Sequence, residues 1–302
     1  MMTNTADTRC GFVAVVGAPN AGKSTFVNEV VGTKVSIVTH KVQTTRNQVR
    51  GIAMQDQTQI IFVDTPGIFK PKKRFDRAMV ASAWSGAEDA DVVMLIVDAR
   101  KGLTQDVEEI LAGLAENKRP KFLVLNKIDL LAREDLLALT AAFNATAQFQ
   151  QIFMVSALKG DGVEDVLKHL AAELPEGPWH YPEDEISDAP MRFLAEEITR
   201  EKIFINLHEE LPYAIVVKTE SWQEQKNGSV RIEQVVYVQR DSQKGIVLGK
   251  GGARMRTIGQ SAREELERIL ETRVHLFIYV KVDERMWDRP ENYASIGLDF
   301  DA

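Results

Sequence analysis

Gly17-Ala-Pro-Asn-Ala-Gly-Lys-Ser24 fits GxxxxGK[ST], a spacing whose chemistry is the holding of nucleotide phosphates. Gly17 and Gly22 allow the backbone to curl, and Ala18, Pro19, Asn20 and Ala21 complete a loop whose N–H groups face the phosphates. Lys23 is placed to reach the β- and γ-phosphates, Ser24 to hold Mg²⁺, and Thr25 opens the helix behind them. Chance produces the pattern in roughly one chain of this length in a hundred. A glycine turn with no ligand is the weaker reading.

Further polar groups recur in an order that suits the same ligand. His40-Lys-Val-Gln-Thr-Thr-Arg-Asn47 supplies Thr44 and Thr45, either of which can sense the γ-phosphate and complete the Mg²⁺ shell. Asp64-Thr65-Pro66-Gly67 follows an apolar run; Asp64 can bind Mg²⁺ through water and the Gly67 N–H can bond the γ-phosphate, with Ile68 next. The following stretch carries Lys70, Lys72, Lys73, Arg74 and Arg77 against Asp76, and reads equally as a solvated loop or as a segment ordered by the γ-phosphate. Asn126-Lys127-Ile128-Asp129 offers a carboxylate that accepts from both the ring N–H and the exocyclic amine of guanine, a pair adenine lacks. Asn126 and the Lys127 stem would hold the loop and cover the base, and Ser156-Ala157-Leu158 would present an N–H to the base oxygen.

These residues need a scaffold that delivers them to one edge. Phe12–Val16, Gln59–Val63, Val92–Val97, Lys121–Leu125 and Ile152–Val155 read as short buried strands, and a chemical residue follows nearly every one. Thr25–Val31 and Gln105–Leu114 read as helices, and Val35–Val38 as a short strand or helix exit. The expected fold class is α/β, a doubly wound and mostly parallel sheet over residues 1–174. Four of the ten prolines fall at 175–190 among acidic residues, which predicts an extended, solvated linker.

Residues 191–302 change character, and a smaller α+β domain is expected there. Met191–His208 reads as an amphipathic helix, Tyr213–Val217 and Ser229–Val238 as strands joined across Asn227-Gly228, Ala253–Glu271 as a helix and Val274–Val282 as the last strand. Gly249-Lys250-Gly251-Gly252 satisfies GxxG, a weak pattern alone, but the interval 240–256 holds five basic residues and one acid. Glycines at a helix start beside Lys250, Arg254 and Arg256 can clamp a nucleic-acid backbone.

Composition excludes several classes. With 44% hydrophobic and 27% charged residues the chain is globular, and no aliphatic run is long enough to span a bilayer. The polar start and the single Cys10 suit an unsecreted chain in a reducing cytoplasm. No two of the five histidines stand at metal-ligand spacing, so no zinc site is expected. A formal net charge of −7 argues against coating nucleic acid by bulk attraction, so any such binding must be local.

In order, GAPNAGKS, QTTRN, DTPG, NKID and SAL resemble the motif set of translation-factor-class GTPases, and within them the Era family. The order helix, two strands, GxxG, helix, strand resembles a type II KH domain, which extends the likeness to nearly the whole chain. The resemblance implies a GTP/GDP switch with Mg²⁺, slow intrinsic hydrolysis, and a KH domain that binds the single-stranded 3′ end of 16S ribosomal RNA on the 30S subunit during its maturation. Ras-like GTPases place glutamine where this chain has Ile68; relatives with an apolar residue there often use K⁺ held by a loop asparagine, and Asn20 matches it. Likeness also implies a cytoplasmic monomer with occasional peripheral contact to the inner membrane face, although no basic amphipathic anchor is evident. Two other classes stay open: a small-molecule phosphotransferase, and a constitutive RNA-binding protein whose nucleotide domain is structural.

Overall fold

The computed structural model describes residues 8–41, 44–146, 149–207, 215–294 and 296–302. It divides into two compact units, one of Met1–Ser36, Thr45–Asp188 and Ile296–Ala302, the other of Ile37–Thr44 and Ala189–Ser295.

The first unit is a six-stranded sheet formed by β1 (Arg9–Val16), β2 (Val49–Gln55), β3 (Thr58–Asp64), β4 (Val92–Asp98), β5 (Lys121–Asn126) and β6 (Gln151–Val155). Their order is β2-β3-β1-β4-β5-β6, with only the β2/β3 pair antiparallel. The helices are α1 (Lys23–Val31), α2 (Arg74–Asp89), α3 (Gln105–Leu114), α4 (Arg133–Asn144) and α5 (Val163–Glu173). Alternation along β1 explains the double winding. Val13 and Val15 join Phe26 of α1 and Val166 of α5 in one core, while Ala14 and Val16 join Ala83 of α2, Ile110 of α3 and Phe143 of α4 in another. Both faces of the central strands are therefore buried, which is why they read as unbroken apolar runs.

Chain order reverses around β1, since β3 lies on one side of it and β4 on the other. That is the crevice at which open α/β sheets bind ligands, outside the carboxyl ends of the strands. In-register pairing sets Asp64 beside Val15, Asp98 beside Asn126 and Asn126 beside Val155, so the loops that follow these strands share one edge.

At three stretches the fold decides between, or departs from, the expectations. Val35–Val38 forms no strand; the Asn28 side chain instead holds it, accepting from the N–H groups of Val35 and Ser36 at 2.9 Å and donating to the Ser36 carbonyl at 2.7 Å. The basic stretch after Gly67 is only partly a loop, because α2 begins at Arg74 with Asp76 accepting from the N–H groups of Lys72 and Lys73 at 3.0 and 3.1 Å. The proline-rich connector is not a free linker. Gln59 Oε1 accepts from the His180 and Tyr181 N–H groups at 2.9 and 3.0 Å, and the Ile186 carbonyl accepts from Ile52 of edge strand β2 at 2.9 Å. An edge strand left open is a site for unwanted pairing, and this stretch partly covers it.

The second unit contains α6 (Met191–Asn206), β7 (Val216–Glu224), β8 (Val230–Val238), α7 (Asp241–Leu248), α8 (Ala253–Leu270), β9 (Val274–Val282) and α9 (Pro290–Ala294). The sheet order is β7-β8-β9, antiparallel then parallel. Ile198 of α6 and Ala262 of α8 meet Ile232 and Val274 in a core on one face, with Thr199 Oγ1 and Gln234 Oε1 paired at 2.6 Å inside it. The expected strand start at Tyr213 and helix end at His208 lie outside the described residues. Helix α7 was not anticipated: Gly245 and the run Ile246-Val-Leu248 hide its period, whereas Gln243 Oε1 caps it by accepting from the Gln239 and Arg240 N–H groups at 2.8 and 3.1 Å.

The segment Ile37–Thr44 belongs to this second unit. Glu201 of α6 accepts from the Val38 N–H at 2.9 Å, and Arg200 Nη2 donates to the Thr44 carbonyl at 2.6 Å. Lys41 adds its ammonium to the last carbonyls of the helix, at Phe204 and Leu207, where the helix dipole favours a cation. Among the described residues no helix is long and apolar enough to cross a membrane.

Candidate functional site

Glycine is required where the phosphate loop is tightest. A Cβ on Gly22, at φ 100°, would stand 2.2 Å from the Asn126 amide nitrogen, and one on Gly17 would stand 2.3 Å from the Ile96 carbonyl oxygen. Gly22 caps α1, whose first N–H groups therefore open toward the loop. Lys23 is the first helical residue, and its Nζ donates to the Gly17 and Ala18 carbonyls at 3.0 and 3.1 Å. Burial lowers the Lys23 ammonium to about 8, against the opposing pull of Asp64.

A cluster of oxygens lies beside it. Ser24 Oγ is 2.8 Å from Thr45 Oγ1 and donates to Asp64 Oδ2 at 2.7 Å, with Thr45 Oγ1 3.5 Å from the same oxygen. Burial raises the Asp64 carboxyl, although the Ser24 bond and the charge of Lys23 pull it back. Its Oδ1 is buried without a hydrogen-bond partner among the described residues. A buried carboxylate oxygen left open beside two hydroxyls is a hard-oxygen donor set that fits Mg²⁺, directly or through water. Thr44 is not brought here; its Oγ1 pairs with Thr39 Oγ1 at 2.7 Å and donates to the Lys41 carbonyl at 2.8 Å. Of the two threonines the sequence left open, only Thr45 joins the cluster.

Thr65 Oγ1 donates to the Val15 carbonyl at 2.8 Å and so ties the end of β3 to the end of β1. Gly67 lies against Pro19, where a Cβ would approach to 2.9 Å, and the Ile68 N–H reaches the Gly17 carbonyl at 3.1 Å. Pro66 thus bridges two pinned residues. Ile68 itself is buried in the apolar cluster with Ala14, Val16 and Val97, so its side chain has neither the exposure nor the polarity to orient water.

Asn126 joins three motifs with one side chain. It donates to the Ala21 carbonyl at 3.0 Å and accepts from the Lys127 and Ala157 N–H groups at 2.8 and 3.0 Å. Lys127 folds back at φ 67° and its ammonium bonds the Asn20 carbonyl at 2.6 Å and Asp98 at 2.8 Å. Ile128 begins a single helical turn that carries Asp129, whose Oδ1 accepts from Ser156 Oγ at 2.8 Å. The Ser156 and Ala157 N–H groups are committed to the Asp161 carbonyl and to Asn126, while the Leu158 side chain is exposed.

Asp98 is a member of this site that the sequence reading passed over. Burial pushes its carboxyl up, but hydrogen bonds from Arg100 and Lys127 outweigh that and hold it down at about 2. The clue was present, since an acid closes an apolar strand there as Asp64 does.

Gly249, Lys250, Gly251 and Gly252 form a turn with all three glycines at positive φ, 71°, 58° and 75°. A Cβ on Gly249 would meet Arg254 Cβ at 2.8 Å, and Arg254 Nη1 donates to the Ile246 carbonyl at 2.5 Å, closing the turn against α7. Beside it runs a groove of about 420 Å³ whose walls include Leu248, Met255, Leu276 and Ile278, with Arg256 and Arg263 along α8. Arg263 was not foreseen, although it lies two helical turns beyond Arg256 on the same face.

Comparison with known proteins agrees with both halves. A family described as 50S ribosome-binding GTPase matches residues 12–127, and a KH domain family matches residues 210–286. GTPase Era of Sinorhizobium medicae is 61% identical over 97% of this chain and 94% of its own length, and GTPase Era of Brucella suis is 57% identical over 99% and 96%. A crystal structure of Era in complex with MgGDPNP and nucleotides 1506–1542 of 16S ribosomal RNA superposes with a TM-score of 0.91, at 38% identity, over 96% of this chain and 99% of that one. An Era variant of Aquifex aeolicus bound to GDP·AlF4⁻ matches equally. The phosphate loop, the Asp129 carboxylate and the GxxG turn thus occur in one chain, and this chain, a GTPase with a KH domain, belongs to the Era family.

Proposed function

We propose that this GTPase is a nucleotide-governed RNA-binding switch that acts on the 3′ region of 16S ribosomal RNA during maturation of the small ribosomal subunit. The observation that carries the nucleotide half is the convergence of Lys23, Ser24, Thr45 and Asp64 at a glycine loop, with Asp129 on the same sheet edge. Era relatives crystallised with MgGDPNP, with GDP·AlF4⁻ and with 16S RNA support the choice of ligands.

Asp129 selects guanine by accepting from its ring N–H and amine, and Lys23 counters the charge that develops on the γ-phosphoryl oxygens. Water attacks the γ-phosphorus in line; the bond to the β,γ-bridging oxygen breaks, and GDP and phosphate leave with the proton of the water. Ser24, Thr45 and Asp64 would hold Mg²⁺, which supplies charge neutralisation at the phosphates when bound. With Ile68 buried, no side chain at that position can act as base or water ligand, so intrinsic turnover is expected to be slow, which leaves a role for a monovalent cation near Asn20.

The RNA half rests on the basic groove beside the GxxG turn, which suits about four nucleotides of single strand. Coupling has a covalent basis. Thr45 belongs to the nucleotide cluster while its neighbour Thr44 is hydrogen-bonded to Arg200 of α6, so a shift of Thr45 with the γ-phosphate pulls on the second unit. The test is binding of the 3′ RNA fragment with GTP analogue and with GDP at one salt concentration. Tighter binding with the analogue is expected; equal binding would leave a constitutive RNA-binding protein with an uncoupled GTPase.

A further inference from the structure

The three-stranded sheet of the second unit has two faces, and α6, α7 and α8 lie on one of them. Val274, Leu276, Ile278, Val280 and Val282 of β9 point to the helix side. The alternate residues therefore point the other way. On that side Phe277 and Tyr279 are 39% and 51% exposed, two large rings about 6.7 Å apart along one strand. Register places Arg231 opposite His275 and Glu233 opposite Phe277. The Arg231 guanidinium lies over the Phe277 ring at 4.4 Å, and Glu233 takes a hydrogen bond from its Nε at 3.2 Å.

Next to this ring is a cavity of about 550 Å³ lined by Gln225, Lys226, Asn227, Arg231, His275 and Phe277, with Ser229 behind. No carboxylate lines it, and the one beside it, Glu233, is ion-paired with Arg231 at 2.5 Å. The other end of the same face is closed by the C-terminal segment, where Lys218 Nζ donates to Asn292 at 2.6 Å and Tyr293 is fully buried. The open part thus runs from the hairpin end along edge strand β9 as far as Tyr279.

We propose that this open face, at Arg231, His275, Phe277 and Tyr279, is a second RNA contact that stacks unpaired bases of the strand held in the GxxG groove. The inference rests on the RNA reading of that groove. Exposed rings interleaved with cations are the chemistry by which single strands are held, since every base has a π-face and every nucleotide a phosphate. A protein partner would call for an apolar centre, whereas this cavity is lined by amides, a hydroxyl and cations around one ring. Length argues the same way. A GxxG clamp takes about four nucleotides, so the 1506–1542 RNA carried by the crystallised Era relative extends well beyond it and leaves nucleotides available for a further contact.

The experiment uses the full chain and two probes, the 1506–1542 RNA fragment and a single strand of about five nucleotides that fills the groove alone. Replacing Phe277→Ala and Tyr279→Ala together is expected to weaken fragment binding by at least tenfold and to leave the short strand unchanged. Ultraviolet cross-linking of the unaltered protein is expected to place fragment RNA on the peptide 274–282. Unchanged fragment affinity, an equal loss for both probes, or no RNA adduct on that peptide would overturn the proposal. Failure of the short strand to bind the unaltered protein would be a failure of the groove reading, and the fragment and adduct results would then judge the face by themselves.

Discussion

Asn126→Ala removes a side chain that bonds the phosphate loop, the guanine loop and the Ser156 loop at once. Asn126 is 2% exposed, and truncation would leave the Ala21 carbonyl and the N–H groups of Lys127 and Ala157 without their partner. Each buried polar group so stranded costs about 1–3 kcal/mol, and partial relaxation brings the total to about 3–5 kcal/mol. Because both ends of the nucleotide site loosen together, GDP affinity is expected to fall by about 10²- to 10³-fold, equivalent to ~3–4 kcal/mol. Fluorescent-GDP titration reads the affinity, and amide hydrogen exchange at Ala157 reads the local opening. Asn126→Asp separates the two ends. It keeps the oxygen that accepts from Lys127 and Ala157 but sets a carboxylate oxygen against the Ala21 carbonyl, so Ala157 should stay protected while nucleotide affinity still falls. GDP affinity within threefold of the original for Asn126→Ala, with Ala157 still protected, would refute the reasoning.

Other substitutions test single roles. Asp129→Asn should shift preference from GTP toward xanthosine triphosphate, since an amide can donate to the carbonyl that replaces the amine; a competition assay showing GTP still preferred would remove Asp129 from base selection. Thr45→Ala should raise the Mg²⁺ concentration needed for half-maximal hydrolysis several-fold while Thr44→Ala should not, because only Thr45 shares the Ser24–Asp64 cluster; the reverse order would overturn that assignment. With Asn20→Ala, any stimulation of hydrolysis by K⁺ over Na⁺ should disappear. Stimulation that persists would leave Asn20 as a loop residue only, a role its φ of 62° already suits.

Local signals carried much of this protein. The phosphate loop, Asp64 and Asp129 were legible because each is a short polar string at the end of an apolar run, and a strand buried on both faces announces itself without its neighbours. Helix α8 and strand β9 were legible for a similar reason, with a clear period bounded by glycines on one side. Edge strand β2 left a weaker trace, since Arg50, Gly51 and Gln55 interrupt its apolar positions. Helix α7 left none, as eight residues with a central glycine have no amphipathic signature to read.

Pairwise geometry was settled elsewhere. Nothing in the string QTTRN separates Thr44 from Thr45, because adjacent residues differ only in which way the folded backbone turns them; one faces Ser24 and the other faces Thr39. Likewise Asp98 and Lys127 are 29 residues apart in sequence and 2.8 Å apart in space, a contact that exists only once β4 and β5 pair in register. Sequence alone determined which chemistry was available, since residue type fixes donor, acceptor and charge. Tertiary structure decided which of those groups meet, since contact between distant residues is created by strand register and packing, and neither is encoded at any one position.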